Sequence, residues 1–497
     1  MTEQRRIKVS VEVRSGSARA NRKRESVLRR DLRWELARYA GLSASTSATP
    51  DGASNNQTAN RSGTRTMMNL TQDRIAANKI MALAALLVAL MAAMLLAANP
   101  SYAAGTTFTV NSTADTQELT PGLTGDVITL RDAIARANSN ANPSEVDRIN
   151  FDIPGAGVHT ISPGSPLPPI SEPVVINGYS QPGSSVNTLA RGTNAKLLVQ
   201  IDGTNAGRDS ASGGLTINAS NTVVKGLVIN RVTNSPGIEI APGAFGEVVR
   251  NVRIEGNFIG TDPSGTLARG NGLAGVDLFA VSESIVGGSS RAARNLISGN
   301  NFDGVFIDGG AAADVGAAEN NQIRGNLIGI QKDGIKPLGN GAPGVTVFED
   351  SSGKANGNFI LSNSIFSNKG IGIDLDDDGS TANDAGDTDT GSNNLQNKPS
   401  LGSAKNVSGK TTVRGSLSSR PGATYTIQFF SNPSGTGQGR TFLGQKSGLN
   451  VDGSGKGTFT FSPSSKVAAG QTITATATNE FTGDTSEFSA AKGVVTG

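Results

Sequence analysis

Residues 374–394 read DLDDDGSTANDAGDTDTGSNN, a run crowded with hard oxygen donors. Asp387, Asp389 and Asn393 fall on one alternation, Gly391 turns the chain between them, and Asp376 and Asp378 precede them. Oxygens on every second residue can converge on one calcium ion, a hard cation that collects carboxylate and amide oxygens. The expectation is a structural Ca2+ held by Asp376, Asp378, Asp387, Asp389 and Asn393, stiffening a junction between two parts of the chain. The run lacks the closing glutamate and flanking helices of an EF-hand, and a solvated acidic linker is the competing reading.

Catalytic chemistry is harder to place. Hydrolysis of a glycosidic bond needs an acid and a base at controlled separation, usually two carboxylates. Elimination at a uronic acid needs a base, often Arg or Lys, and commonly calcium to neutralise the carboxylate. Arg253, Arg294, Arg324, Asp262, Asp303 and Asp308 have the right types but form no recognisable constellation. The single histidine, His159 in GVHTI, reads as a partly buried strand residue. No catalytic residue is assigned. A saccharide platform of aromatic rings is also poorly supplied. The one tryptophan, Trp34, lies in a basic leader, and only Tyr179 and Tyr425 represent tyrosine beyond residue 104.

The elements that would carry such groups are short and repetitive. GNFIGTDPSGTLARGNG at 256–272 returns as GNLIGIQKDGIKPLGNG at 325–341, with five glycines, two asparagines and an isoleucine kept at one offset of 69 residues. Around this frame a Gly-Ile/Val-x-aliphatic unit recurs from Gly237, Gly275, Gly304, Gly344 and Gly370, the last as Gly370-Ile371-Gly372-Ile373. Between these units lies Asn-x-Ile, at Asn257, Asn295, Asn326 and Asn363. Strands this short, closed by Gly/Asn/Ser/Asp turns, cannot form a meander but can stack coil upon coil. The expected architecture is all-β: a right-handed parallel β-helix, with glycines at strained or crowded corners and the variable middle of each unit outside. Stacked asparagines would share their amides as a ladder, and Phe258, Leu296, Leu327, Phe306 and Phe359 read as core stacks.

One amphipathic helix stands ahead of the strands. TLRDAIARAN puts Leu130, Ala133, Ile134 and Ala137 on one face, with Thr129 as N-cap and Asp132 three residues on. It suits a lid over the open end of the β-helix. After residue 398 the style changes to KTTVRGSLSS, ATYTIQFFSN, GKGTFTFSPS and QTITATATNEF, alternating segments spaced as in a small immunoglobulin-like β-sandwich.

The stretch FTVNSTADTQELTPG…GDVITLRDAIARAN resembles the CSLREA-type N-terminal module of exported bacterial β-helix proteins of pectin-lyase-like fold. IPGAGVHTISPGSPLPPISEPVVINGYSQPG, GNFIGTDPSGTLARGNG and RNLISGNN are similar to the repeats that follow it in that family. The resemblance runs from about Phe108 to Pro399 and implies an exported β-helix protein, without supplying an active site. The family module usually carries cysteine where Thr129 stands, so a disulfide role is out of reach here while the fold is not. The Gly-His-Gly with paired aspartates of β-helical glycoside hydrolases is absent.

Charge divides the chain. Residues 1–79 carry 16 Lys/Arg and 7 Asp/Glu, whereas the remainder carries 28 basic and 34 acidic side chains. The basic balance therefore belongs to the leader and does not argue for nucleic acid. The apolar run 80–98, followed by NPSYAAG, reads as a signal peptide cleaved near Ala104 or as an uncleaved membrane anchor. Met67-Met68 would begin a signal peptide of ordinary length, leaving 1–66 as an extended leader or a misread start. The chain has no cysteine, which excludes disulfides and thiolate zinc sites.

These readings assemble as a leader (1–79), an export segment (80–103), a capping module (104–150), a β-helix (151–397) and a β-sandwich (398–497). The expected protein is exported to the cell surface or beyond, monomeric and noncatalytic. Its expected role is adhesion or binding of an extracellular polysaccharide or cell-surface partner. A polysaccharide lyase or hydrolase working in the β-helix groove is the alternative.

Overall fold

The computed structural model describes residues 103–116, 127–140, 145–207, 214–244, 246–310, 316–349 and 353–497. The leader and the apolar run 80–98 lie outside the described residues. No helix among the described residues is long and apolar enough to cross a membrane.

Short strands stack coil on coil into three long sheets, with a further two-stranded one pairing Val249–Arg250 with Val281–Ser282. Sheet A has eight strands, from Ala103–Val110 and Glu145–Phe151 to Phe359–Leu361; sheet B has seven, from His159–Ile161 to Ser364–Ile365; sheet C has six, from Leu215–Ile217 to Ile373–Leu375. In sheet C the pairing is parallel, and Leu215, Ile238, Val276, Val305, Val345 and Ile373 form one aligned column. The chain is an all-β parallel β-helix. Alternation turns this column and Leu278, Ile307 and Val347 inward, where they are fully buried. Each such side chain contributes about 1.5–3 kcal/mol through removal from water.

The last coil departs from the expected register by two residues. Gly-Ile occurs twice in succession there, and pairing selects Gly372-Ile373-Asp374-Leu375, because Ile373 sits opposite Val345 and Leu375 opposite Val347. The expected core stacks also divide. Ile229, Ile259, Ile297 and Ile328 face the interior, while their neighbours Val228, Phe258, Leu296 and Leu327 form a second cluster on the outside of sheet B. In a two-residue strand, one residue must point out, and here the variable loops roof it. Gly265 lies over Phe258 and Leu296, the Lys332 N–H donates to Gly265 O (3.0 Å), and the Thr193 N–H donates to Lys332 O (2.7 Å). Phe306 is half-buried and stacks on Phe348 outside sheet C, with ring centres 6.2 Å apart; Phe359 is half-buried too.

The conserved frame of the two repeats has a geometric cause. Gly260 and Gly329 take φ of +88° and +82°, and a Cβ would collide with Asn300 Oδ1 at the first and Phe366 O at the second. The asparagines form ladders along the coil axis. In Asn257–Asn295–Asn326–Asn363, the Oδ1 of Asn295, Asn326 and Asn363 each accepts the backbone N–H of the asparagine one coil earlier, at 2.8–3.3 Å, and Asn257 Oδ1 accepts the Leu227 N–H (3.0 Å). Their Nδ2 groups reach back to Val224, Ile254, Val286 and Ile323 carbonyls at 2.6–2.9 Å. Two further ladders run through Asn271–Asn300–Asn340–Asn368 and Asn321–Asn358–Asn393. Buried corner amides are thereby satisfied without water.

Both ends are closed. Helix α1 (Leu130–Ser139) starts at Thr129, whose Oγ1 accepts the Asp132 N–H (3.1 Å), and buries Leu130, Ala133, Ile134 and Ala137 in the β-helix core. Arg131 pins it through Asp115 (2.8 Å) and the Ser165 and Pro166 carbonyls (2.9 and 2.8 Å).

The other end is closed by the C-terminal module. Its strands run Thr441–Asn450, Thr424–Asn432, Thr472–Asn479, Lys492–Thr496, Ser400–Val407, Lys410–Ser418 and Lys456–Phe461 across one wrapped seven-stranded sheet. All neighbours are antiparallel except Ser400–Val407 with Lys492–Thr496. Phe429 faces the module's own core and stacks on Phe461 at 4.1 Å. The next residue, Phe430, points the other way and joins Phe488 in the β-helix core, ring centres 5.2 Å apart. The module also completes the last coil's hydrogen bonds. Ile365 and Gly439 exchange N–H···O bonds of 2.9 and 2.8 Å, and the Gly357 and Ile360 N–H groups donate to Asp484 Oδ1 (2.7 Å) and Thr485 Oγ1 (3.1 Å). Gln438 takes the place of a fifth asparagine in the second ladder, its Nε2 donating to Asn368 O (2.9 Å).

Candidate functional site

The acidic run folds at the junction, and only part of the expected set converges. Asp387 and Asp389 come together with Asp384, their carboxylate oxygens within 4.8 Å of one another. Asp387 is buried and accepts from the Asn397 N–H and Gln396 Nε2 (2.8 Å each) and from Ser419 Oγ. Burial raises its pKa against those hydrogen bonds, and Asp384 and Asp389 add to the rise. Asp389 Oδ1 is buried with no partner, and burial followed by the Asp384 charge holds that carboxyl above its ordinary range.

The remaining members go elsewhere. Asp376 accepts from Ser392 N–H and Oγ (3.1 and 2.6 Å), and Asp378 is exposed. Asn393 closes the third ladder: its Oδ1 accepts the Asn358 N–H (2.9 Å) and its Nδ2 donates to Asn358 O (2.8 Å). The alternation does not carry through, because Asn393 and Asn394 adopt φ of 50° and 49°. Asp384 was missed because it lies off the alternating pattern.

The residues weighed for catalysis also separate. Arg253 pairs with Glu255, Asp262 ties its own loop through the Thr266 and Leu267 N–H groups (3.1 and 2.9 Å), and Asp303 accepts from Thr346 Oγ1 (2.7 Å). Asp308 accepts from the Gly310 N–H (2.9 Å), and His159 is buried. Arg294 and Arg324, by contrast, meet in a groove.

That groove has a volume of about 390 Å³ and lies between the outside of the coils and the C-terminal module. Among the described residues five arginines line it, Arg191, Arg291, Arg294, Arg324 and Arg440, and no carboxylate does. None of the five is in an ion pair among the described residues. Arg294 builds the wall: its guanidinium donates to Gly192 O (2.6 Å), Ala190 O (3.1 Å), Leu189 O (3.2 Å) and Gly325 O (3.2 Å), fixing the 187–194 loop. Burial, then the Arg291 charge, lowers its pKa. Arg440 lies over the Phe366 ring at 5.6 Å, and its Nε is buried without an acceptor. Its pKa is lowered too, by burial and then by Arg191. Arg191 Nη2 donates to Thr441 Oγ1 (3.1 Å) across the groove.

Such a wall suits anion recognition, since guanidinium forks match carboxylate, sulfate and phosphate oxygens. Among the described residues the lining offers no carboxylate pair for glycoside hydrolysis. Of the five arginines, the sequence reading weighed two; Arg191, Arg291 and Arg440 carry no motif and stand far apart in the chain.

No family model matches the chain, and no curated protein matches it. Among solved structures, the full-length tailspike protein 2 from Escherichia coli O157:H7 bacteriophage CAB120 is similar at 12% identity with a TM-score of 0.18. The match covers 70% of this chain and 59% of the tailspike chain. The fold assignment rests on the strand pairing, not on that likeness.

Proposed function

We propose that this chain is an exported, noncatalytic β-helix protein that binds an acidic polysaccharide in the arginine groove. The observation that carries the reading is the set of five groove arginines with no ion-paired partner among the described residues. A cleft of one sign concentrates oppositely charged ligand and speeds its capture. The resemblance to CSLREA-type exported proteins supports the extracellular setting, and the C-terminal module is taken as immunoglobulin-like in class.

The test is binding of the purified full-length chain to polygalacturonate and to a neutral glucan, with new reducing ends and unsaturated products followed in parallel. Polygalacturonate should bind and weaken roughly tenfold between low salt and ~0.5 M, while the glucan does not bind. Unsaturated product would replace this reading with a lyase. Equal binding of both glycans would remove the charge argument.

A structural calcium ion at Asp384, Asp387 and Asp389 is the second part of the proposal. It is favoured by the buried, unpartnered Asp389 Oδ1. An ion bound at about 100 times its Kd would stabilise the fold by about 2.7 kcal/mol. Calcium should therefore raise the Tm by several degrees, and a chelator should reverse it; no shift would exclude the ion.

A further inference from the structure

The groove is not a property of the β-helix alone. Arg191, Arg291, Arg294 and Arg324 belong to the coils and their loops, whereas Arg440, Thr441 and Phe442 belong to the C-terminal module. The two parts meet along the groove, where the Ser362 N–H donates to Gln428 Oε1 (2.8 Å). Arg191 reaches Thr441, Ser364 Oγ donates to Arg440 O, and the Ile365–Gly439 bridge lies one residue away. The seam is joined by hydrogen bonds, but in the groove the charges on its two sides are alike. Docking the module brings Arg440 toward Arg191, each like-charged, and leaves Arg440 Nε buried with no acceptor. A buried donor without a partner and two facing cations both cost stability. One anionic group between the two guanidiniums would offset their like charge, while the buried Nε stays out of its reach.

We propose that an anionic group of the bound polysaccharide, a carboxylate or a sulfate, sits between Arg191 and Arg440 and clasps the C-terminal module onto the last coil. Ligand binding and closure of the β-helix end are then one linked equilibrium. The inference rests on the reading of the groove as a polyanion site. It differs from that reading in assigning the ligand a position across the seam and a mechanical consequence. A ligand that touches both parts binds only the docked form, so by mass action it must favour docking.

Hydrogen exchange on the full-length chain tests this. The amides to follow are Ile365, Gly439, Gly357 and Ile360, whose bonds cross the seam. With polygalacturonate at about 100 times its Kd, their exchange should slow about 100-fold where opening of the seam limits it. Dextran sulfate, as the second probe, separates sulfate from carboxylate recognition.

Arg440→Gln and, from the opposite side, Arg191→Gln should each weaken binding at least tenfold and abolish the slowing. Arg291→Gln serves as the control. Its side chain donates to Thr188 O on the coil side, so it should weaken binding but keep the slowing at saturation. Binding of polygalacturonate with unchanged exchange at the seam would overturn the clasp and leave the groove reading intact. Failure of both polyanions to bind at low salt would overturn the two together. Arg440→Gln binding as tightly as the unaltered chain would overturn the clasp alone.

Discussion

At its first coil the β-helix is closed by one ten-residue helix, and at its last coil by a whole second sheet. Both lids solve the same problem, the exposure of an apolar core and unpaired strand edges. The first solution is local: Thr129 caps, one apolar stripe packs, and Arg131 anchors to Asp115. The second is nonlocal: Phe430, Gln438, Asp484 and Phe488 are spread along the C-terminal module, and each meets a different atom of the last coil. A local lid does nothing but close. A lid with its own core can also carry ligand-binding residues to the seam, and Arg440 is such a residue.

Removing an apolar anchor from each lid separates the two functions. Phe488→Ala should cost about 4 kcal/mol and weaken polygalacturonate binding, because the groove loses one wall. Ile134→Ala in α1 should cost about 3 kcal/mol yet leave binding per folded molecule unchanged. Equal loss of binding in both variants would deny that the lids differ.

Between the lids, the ladder is the next most sensitive element. Asn295→Ala strands the Asn257 N–H and the Ile254 carbonyl and should cost about 3 kcal/mol in chemical denaturation. Asn295→Asp should cost less if the acceptor at Oδ1 matters more than the donor at Nδ2.

At the last coil, one buried carboxylate should answer to pH. Burial, with the Asp377 and Glu487 charges adding, raises Asp374 to about 7. From roughly pH 4 to 7 the folded chain keeps a proton that the unfolded chain releases. This group's contribution to stability is therefore fully present below about pH 4 and is lost as pH rises toward 7, by at most about 1.4 kcal/mol per unit. Asp374→Asn should flatten that slope in urea midpoints measured across the range; an unchanged slope would assign it to other groups.

The smallest effect belongs to the first lid. Thr129→Ala removes the cap of α1 and should cost about 1 kcal/mol, while Thr129→Ser should restore most of it.

Much of the scaffold was readable in advance. Period-two strands, Gly corners and Asn-x-Ile act within a few residues, so the coil repeat, the ladder asparagines and the helix stripe could be named from the text. The errors fall where a local pattern had two solutions. Gly370-Ile371 and Gly372-Ile373 both satisfy the unit, and only pairing with Val345 chooses between them. Phe258 reads as core, but which of two cores depends on a loop roofing sheet B. Asn393 looks like a ligand by spacing, yet Asn358 one coil earlier claims its amide.

The sequence by itself determined the coil, its corners and the first lid, because hydrogen bonding, chirality and side-chain alternation repeat over short distances. Only the tertiary structure decided the second lid, the convergence of Asp384 with Asp387 and Asp389, and the groove. Arg191, Arg294 and Arg440 lie far apart along the chain and carry no shared pattern. Stacking and docking alone bring them together, since electrostatic proximity depends on distance in space and leaves no period in the sequence.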